Sequence, residues 1–398
     1  MAWRQTVFSQ ILDYLPKRDF RRCVERYDGD RNTRSFSCWD QFLCMTFAQL
    51  TYREGLRDVE ACLRGAQHKL YRLGLRGSVS RSTLADANEH RSSEIYADFC
   101  RILIQRARTL YVDDCFCGEL DEMIYILDST SISLCLSLCP WAKFAGSAAV
   151  KVNTLLDLRG WIPSFISIKK ANYRDCFALD DIPIEPGAFY VMDRGYLDFK
   201  RIYHLHCARG YFVTRPLRHV VFKRQESRAK SAADGIRSDQ IVLLGGQVAS
   251  GKYPDRLRRI HYSDKQQLKD LIFITNNLLL PASTIATLYK SRWQIELFFK
   301  WIKQNLRIKK FYGTSFNAVK TQIWIAVAVY LLVAIVRKEL SVKTPLYRIF
   351  QFLSVSIFDE MPILQAFSQH ALPELETHSP NQLNLFENVS DSSGLRLP

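Results

Sequence analysis

Apolar residues return every three or four positions through most of the first 110 residues. The stretches "QFLCMTFAQLTY" and "SEIYADFCRILIQRARTLY" keep that spacing with few β-branched runs, so both are expected to be helices. Ser80 stands where an N-cap is needed for "RSTLADANEHR". Near Asp121 the periodicity changes. "MIYILDSTSISL", "VKVNTLLDLRG" and "WIPSFISIKKA" read as three successive strands, with a turn at Arg159 and Gly160. "RDCFALDDI" reads as a helix, "GAFYVMDRGY" as a strand, and "LDFKRIYHLHCARG" as a helix that stops at Gly210. "YFVTR" is a fifth strand. The order β-β-β-α-β-α-β predicts a mixed sheet flanked by helices.

Residues 216–270 are basic, glycine-containing and carry short strand-like pieces such as "QIVLLGG", the mark of a β-rich insertion. "LIFITNN" resumes the core, and a long helix is expected over residues 283–309, begun by Pro281 and Ser283. A second helix covers residues 318–338. Its stretch "IWIAVAVYLLVAIV" is shorter than the roughly 20 apolar residues a bilayer demands, so it reads as a buried core helix. The end, "LPELETHSPNQLNLFENVSDSSGLRLP", is polar and Pro/Ser-rich and reads as disordered. The chain thus divides into a helical segment (1–118), a first core segment (119–215), the insertion (216–270), a second core segment (271–345) and a C-terminal region (346–398).

Charge narrows the partners. Lys and Arg total 55 against 40 Asp and Glu, a net charge of +15, which favours an anionic partner such as nucleic acid. The basic residues fall in several groups, at 101–108, 215–230, 256–259 and 300–310, which suggests several contact surfaces. Arg53, Arg57, Arg76, Arg81 and Arg91 either read DNA from the helical segment or form a solvated face. The eleven cysteines come with no secretory signal, so free thiols in a reducing cytoplasm are expected, and no membrane segment. Cys115/Cys117 and Cys135/Cys139 have metal-like spacing, but no matched second pair completes a zinc site.

Candidate chemistry lies in three acidic residues. Asp128 ends the apolar run "IYILD", and Asp193 ends "FYVMD"; each arrives at a turn, where a capping role is the plain alternative. Glu296 lies in "YKSRWQIELFFKWIKQNL". On one continuous helix, Tyr289, Arg292, Glu296 and Lys303 fall within roughly a 60° arc. The same spacing makes Arg292 and Glu296 an ordinary i,i+4 ion pair. The helix is otherwise so apolar that its carboxylate and cations need partners. Hard divalent ions prefer carboxylate oxygen, and a pair of them activates both oxygens of a phosphoryl displacement.

That stretch resembles the Y-x2-R-x3-E-x6-K signature of bacterial insertion-sequence DDE transposases, the Y-R-E-K, IS-four-like group. Tyr289, Arg292, Glu296 and Lys303 fill its four positions. "LDST" and "DRGYLDF" are similar to the group's two aspartate motifs, and "SRSTLADANEHR" resembles part of its N-terminal helical domain. The resemblance implies an α/β fold with an RNase H-like catalytic core, a β-rich insertion and an N-terminal helical DNA-binding domain. It implies that Asp128, Asp193 and Glu296 are catalytic and hold two Mg²⁺, with Mn²⁺ able to substitute. It assigns Tyr289, Arg292 and Lys303 to DNA phosphates, with Arg194 and Arg215 as further candidates. The implied activity is cut-and-paste transposition: binding of terminal inverted repeats, strand cleavage and transfer to target double-stranded DNA, by a homodimer in a synaptic complex, in the bacterial cytoplasm at the nucleoid. Some relatives stack a flipped base on a tryptophan of the insertion. Residues 216–270 contain no Trp, and Tyr253 is the substitute on offer. The rival readings are an RNase H-like structure-selective nuclease or resolvase, a non-catalytic DNA-binding protein derived from a transposase, and a generic basic α/β protein.

Overall fold

Ile124 to Leu127 form a hydrophobic run, and all four are fully or almost fully buried. In the computed structural model they begin an interior strand of a mixed sheet. The structure describes residues 5–368 except 32, 72–74, 76, 115–121, 136, 145–146, 230–234, 265–268 and 306–310; the side chains of 144, 147, 269, 297 and 301–305 are also outside the description. The tail from residue 369 and the pair Cys115/Cys117 lie outside the described residues. The chain falls into two compact units: residues 1–113, 132–149 and 300–398 in one, and 114–131 and 150–299 in the other.

The strands are β1 (Ile124–Leu134), β2 (Lys143–Phe144), β3 (Ser147–Asp157), β4 (Ile162–Lys170), β5 (Phe189–Met192), β6 (Tyr211–Thr214), β7 (Phe222–Ser227), β8 (Ile236–Leu244), β9 (Leu257–Asp264) and β10 (Lys269–Thr275). In the second unit they line up as β4-β3-β1-β5-β6-β10-β9-β8-β7. β4 pairs antiparallel with β3, while β5 runs parallel to both β1 and β6. Leaving aside the two-residue β2, the order of the first five strands is third, second, first, fourth, fifth. That is the RNase H-like arrangement. Leu127 and Met192, with Tyr125 and Tyr190, pack into one buried hydrophobic core of this unit.

The basic insertion is no separate module. β9 pairs along the whole of β10, and β8 and β7 follow in antiparallel order, so the insertion extends the core sheet. Arg258, within one of the basic groups, is 2% exposed and forks onto Asp239 of β8. It serves the fold rather than a contact surface. Tyr253 is likewise at 0% exposure, packed on Tyr203, His206 and Phe212. Its ring is core, so the expectation that it offers a base-stacking face is overturned.

Two helix ends differ from expectation. The helix Phe199–Cys207 does stop before Gly210, but Arg209 carries the left-handed backbone, at φ 63°. Gly210 is needed for space instead, because a Cβ there would lie 2.8 Å from Leu205 Cδ2. The expected long helix over 283–309 is two helices, Ala282–Lys290 and Trp293–Asn305. Between them Arg292 N–H donates to Tyr289 O and Ile295 N–H to Arg292 O, tighter three-residue bonds than an α-helix makes. Ser291 Oγ adds a bond to Leu288 O at 2.6 Å.

The first unit is helical. Its centre is Phe316–Glu339, started by Ser315, whose side chain accepts from Ala318 N–H. Apolar on every side, this helix is buried on every side, packing along Glu94–Leu110 and Cys38–Leu50. It is long and apolar enough to cross a bilayer, yet 94% of its most apolar window is buried inside the protein. Ser80 caps Arg81–His90 as expected. Arg91 is spent internally, on Ser37 O, Gln41 Oε1 and Phe36 O. Arg57 and Arg81 are exposed, and Arg76 lies outside the described residues. Cys135 is exposed and Cys139 is buried, and both thiols are free.

Candidate active site

Parallel register brings the two aspartates side by side. Ile126 is opposite Val191 and Leu127 opposite Met192. One residue further, Asp128 meets Asp193, on neighbouring strands about 5 Å apart. Each carboxylate is steadied in the same way, by the N–H of the following residue. Ser129 N–H donates to Asp128 Oδ1 at 2.8 Å, and Arg194 N–H to Asp193 Oδ1 at 2.7 Å.

Arg292 joins this edge to the glutamate. Its guanidinium donates to Asp128 Oδ2 at 3.3 Å and to Glu296 Oε1 at 2.7 Å. The i,i+4 pair suggested by spacing is therefore made, and a second carboxylate shares it. Among the described residues, Arg292 Nε is buried without an acceptor. A cleft of about 550 Å³ opens here, lined by Asp193, Arg194, Arg215, Asp264, Tyr289, Lys290, Arg292, Trp293 and Glu296 among others. Although Tyr289 and Glu296 stand on different helices, both reach the cleft. Burial pushes the Tyr289 hydroxyl up, the charge of Asp193 adds to this, and Arg292 and Arg215 oppose it. The side chain of Lys303 lies outside the described residues.

Asp128 is the strained member. Its side chain is 18% exposed. Burial raises its carboxyl from the ordinary 3.8 to about 6, with Asp193 and Glu296 adding repulsion against the Ser129 N–H and Arg292. One arginine does not compensate this acidic edge. The donor set suits a hard divalent ion, which takes carboxylate oxygen and carries the missing charge. Among the described residues, however, no three His, Cys, Asp or Glu side chains are drawn together closely enough to grip a metal ion. Arg292 stands between Asp128 and Glu296 instead.

The raised carboxyl has a measurable consequence. Asp128 holds its proton more tightly folded than unfolded. It therefore favours the fold below about pH 4, and that contribution is lost as pH rises through about 6. The loss is about 3 kcal/mol, at 1.36 kcal/mol per pH unit. Urea unfolding in metal-free buffer should show stability falling between these values, and Asp128→Asn should flatten the slope. An unchanged slope in Asp128→Asn would assign the effect to another group.

Sequence reasoning missed three features. Trp293, taken as part of a buried face, is 53% exposed at the cleft. Asp264, almost buried at the end of β9, pairs with Lys290 at 3.1 Å. Asp175 accepts from Ser129 Oγ at 2.6 Å and from Lys151 Nζ at 3.1 Å. An apolar residue next to an arginine in a helical stretch signals burial, so nothing local marked Trp293 as exposed.

The sheet order and the acidic edge define a class, the RNase H-like nucleic-acid enzymes. Within it, residues 119–332 match the family described as the transposase DDE domain, and residues 3–76 match a domain of unknown function (DUF4372). The chain belongs to the DDE transposase family. A protein of Sinorhizobium fredii named as transposase y4zB is 33% identical over 300 residues, covering 72% of this chain and 80% of that one. A protein of Synechocystis named as the transposase of insertion sequence element IS4SA is 27% identical, covering 74% of this chain and 80% of its own. One of Geobacillus stearothermophilus, named for element IS5377, is 28% identical, covering 52% and 55%. A cryo-EM structure of the piggyBac transposase synaptic complex with hairpin DNA aligns over 93% of this chain and 81% of its own at 9% identity and a TM-score of 0.43, a loose likeness. The chain is a transposase, an enzyme that acts on DNA.

Proposed function

We propose that this transposase cuts its element out at the terminal inverted repeats and joins it to target DNA, using Asp128, Asp193 and Glu296 as catalytic metal-holding residues. The observation that carries this reading is the acidic edge itself. Asp128 and Asp193 end up on neighbouring parallel chain segments, and Asp128 shares one arginine with Glu296 of a following helix, beside a basic-rimmed cleft. Two Mg²⁺ ions, or Mn²⁺, would polarise the scissile phosphate and lower the charge cost at both oxygens. Arg292, released from its carboxylates, would hold a phosphate by its planar fork. Tyr289, Arg194, Arg215 and Lys303 are the further phosphate contacts. The helical residues 1–118 would recognise the repeats, residues 119–215 and 271–345 would form the catalytic core around the insertion 216–270, and residues 346–398 would follow as a C-terminal region. Two chains would pair the ends, and the reaction belongs to the bacterial cytoplasm and nucleoid.

The test uses DNA ending in the inverted repeats that flank the gene. With Mg²⁺ the protein should cut at the repeat ends and join them to a target plasmid. EDTA should stop both steps and leave binding. Cutting without joining would favour the structure-selective nuclease.

Trp293 supplies the stacking face that Tyr253 cannot. An exposed indole on the cleft wall would stack an unpaired base near the cut. Such stacking contributes about 1–3 kcal/mol per base. Trp293→Ala should therefore speed release of the cut end roughly tenfold or more, with Trp293→Phe nearer the parent. Because the ring is half exposed, thermal stability should change little. Equal release by Trp293→Ala and parent would remove the indole from the reaction.

A further inference from the structure

Strand β1 just past Asp128 and the turn after β5 converge on one side chain that carries none of the roles above. Asp175 opens a short 3₁₀ turn, Asp175–Phe177, which packs on the 3₁₀ turn Arg194–Tyr196. Its Oδ1 accepts from Ser129 Oγ at 2.6 Å and from Lys151 Nζ at 3.1 Å. Lys151, in β3, also donates to Tyr173 O at 2.9 Å, which anchors the ammonium from a second side. The other oxygen, Oδ2, faces Gly195: a Cβ built there would lie 3.8 Å from it. Ser129 follows Asp128 and Gly195 is two residues past Asp193. Asp175 thus touches the chain immediately beyond both aspartates.

We infer that Asp175, backed by Lys151, is a positioning residue that fixes the Asp128 and Asp193 carboxylates relative to each other for cation binding. The inference rests on the metal reading proposed above. The path to Asp128 is short. Asp175 holds the Ser129 hydroxyl, and the Ser129 N–H holds Asp128 Oδ1. The path to Asp193 is less direct, through the packing of the Asp175–Phe177 turn on the Arg194–Tyr196 turn that follows Asp193. Groups that orient ligands in this way commonly change metal affinity by 10–100-fold when removed. The field of the same carboxylates is felt by Tyr196, 1% exposed, whose hydroxyl is raised by burial first and then by Asp128 and Asp175.

The test reads ion binding rather than turnover. Mn²⁺ alone is titrated into the full chain by calorimetry, without DNA. Asp175→Ala should weaken Mn²⁺ binding about tenfold or more, with the melting temperature in EDTA near that of the parent. Ser129→Ala, which deletes only the linking hydroxyl, should weaken it in the same direction and guards against a fold defect in the first variant. Asp175→Asn should recover part of the affinity, because its amide oxygen still accepts from Ser129. Asp128→Asn separates the two readings. If it loses Mn²⁺ while Asp175→Ala and Ser129→Ala bind like the parent, the positioning role is overturned and the metal site stands. If the parent takes up no Mn²⁺, both are overturned.

Discussion

Single alanine substitutions at Asp128, Asp193 and Glu296 are each expected to reduce strand cutting by about a thousandfold or more while DNA-end binding persists. On the proposed reading the cut step needs cationic charge at the phosphate, and these carboxylates would hold it. Binding would draw on a different set, the proposed phosphate contacts, of which Arg194, Arg215 and Arg292 line the cleft. Two of the variants should go further. Asp128 and Glu296 both engage Arg292 in the DNA-free chain. Removing either frees donors for a phosphate, so Asp128→Ala and Glu296→Ala should bind DNA at least as tightly as the parent. Asp193→Ala should not gain in this way. Single-turnover cutting and filter binding on the same DNA measure both effects. Normal cutting by any one variant would strip that residue of its role.

The largest expected effect on stability lies in the insertion. Arg258 and Asp239 have side chains 3% and 4% exposed and form a two-bond fork, at 2.8 and 2.7 Å. Arg258 also donates to Leu280 O. Breaking such a pair leaves one charge buried alone, at a cost of about 3–5 kcal/mol. Arg258→Met should therefore lower the melting temperature by about ten degrees. The double variant Arg258→Met with Asp239→Leu should recover most of this, since the pair as a whole offers little over apolar packing. A single variant that melts with the parent would show that water reaches the carboxylate.

Much of the core was legible because its signals are local. "FYVMD" is a strand that delivers its aspartate to a turn, whereas β1 runs on past Asp128 to Leu134; the five strands come in the order their patterns imply. The pairing of β1 with β5, which sets Asp128 beside Asp193, is a contact between residues far apart in the chain and leaves no local mark. The helix break at Ser291 and Arg292 was equally hidden. No Pro or Gly marks it; a serine hydroxyl turned onto its own backbone and an arginine drawn to Asp128 accompany it. Tyr253 and Arg258 were read by residue type as a stacking face and a contact group. Both belong to the interior, because the insertion shares the core's sheet and therefore its packing. Asp175 sat inside a stretch read as a helix, and its three neighbours come from three other segments.

The break ahead of Glu296 matters for motion. Had residues 282–305 been one rigid rod, any swing of the glutamate would have dragged Tyr289 and Lys290 with it, and with them the anchor to Asp264. With the break, small rotations of the Ser291 and Arg292 backbone would act as a wrist: on the proposed reading Glu296 would be carried inward onto incoming cations while the forearm stays bolted to the sheet.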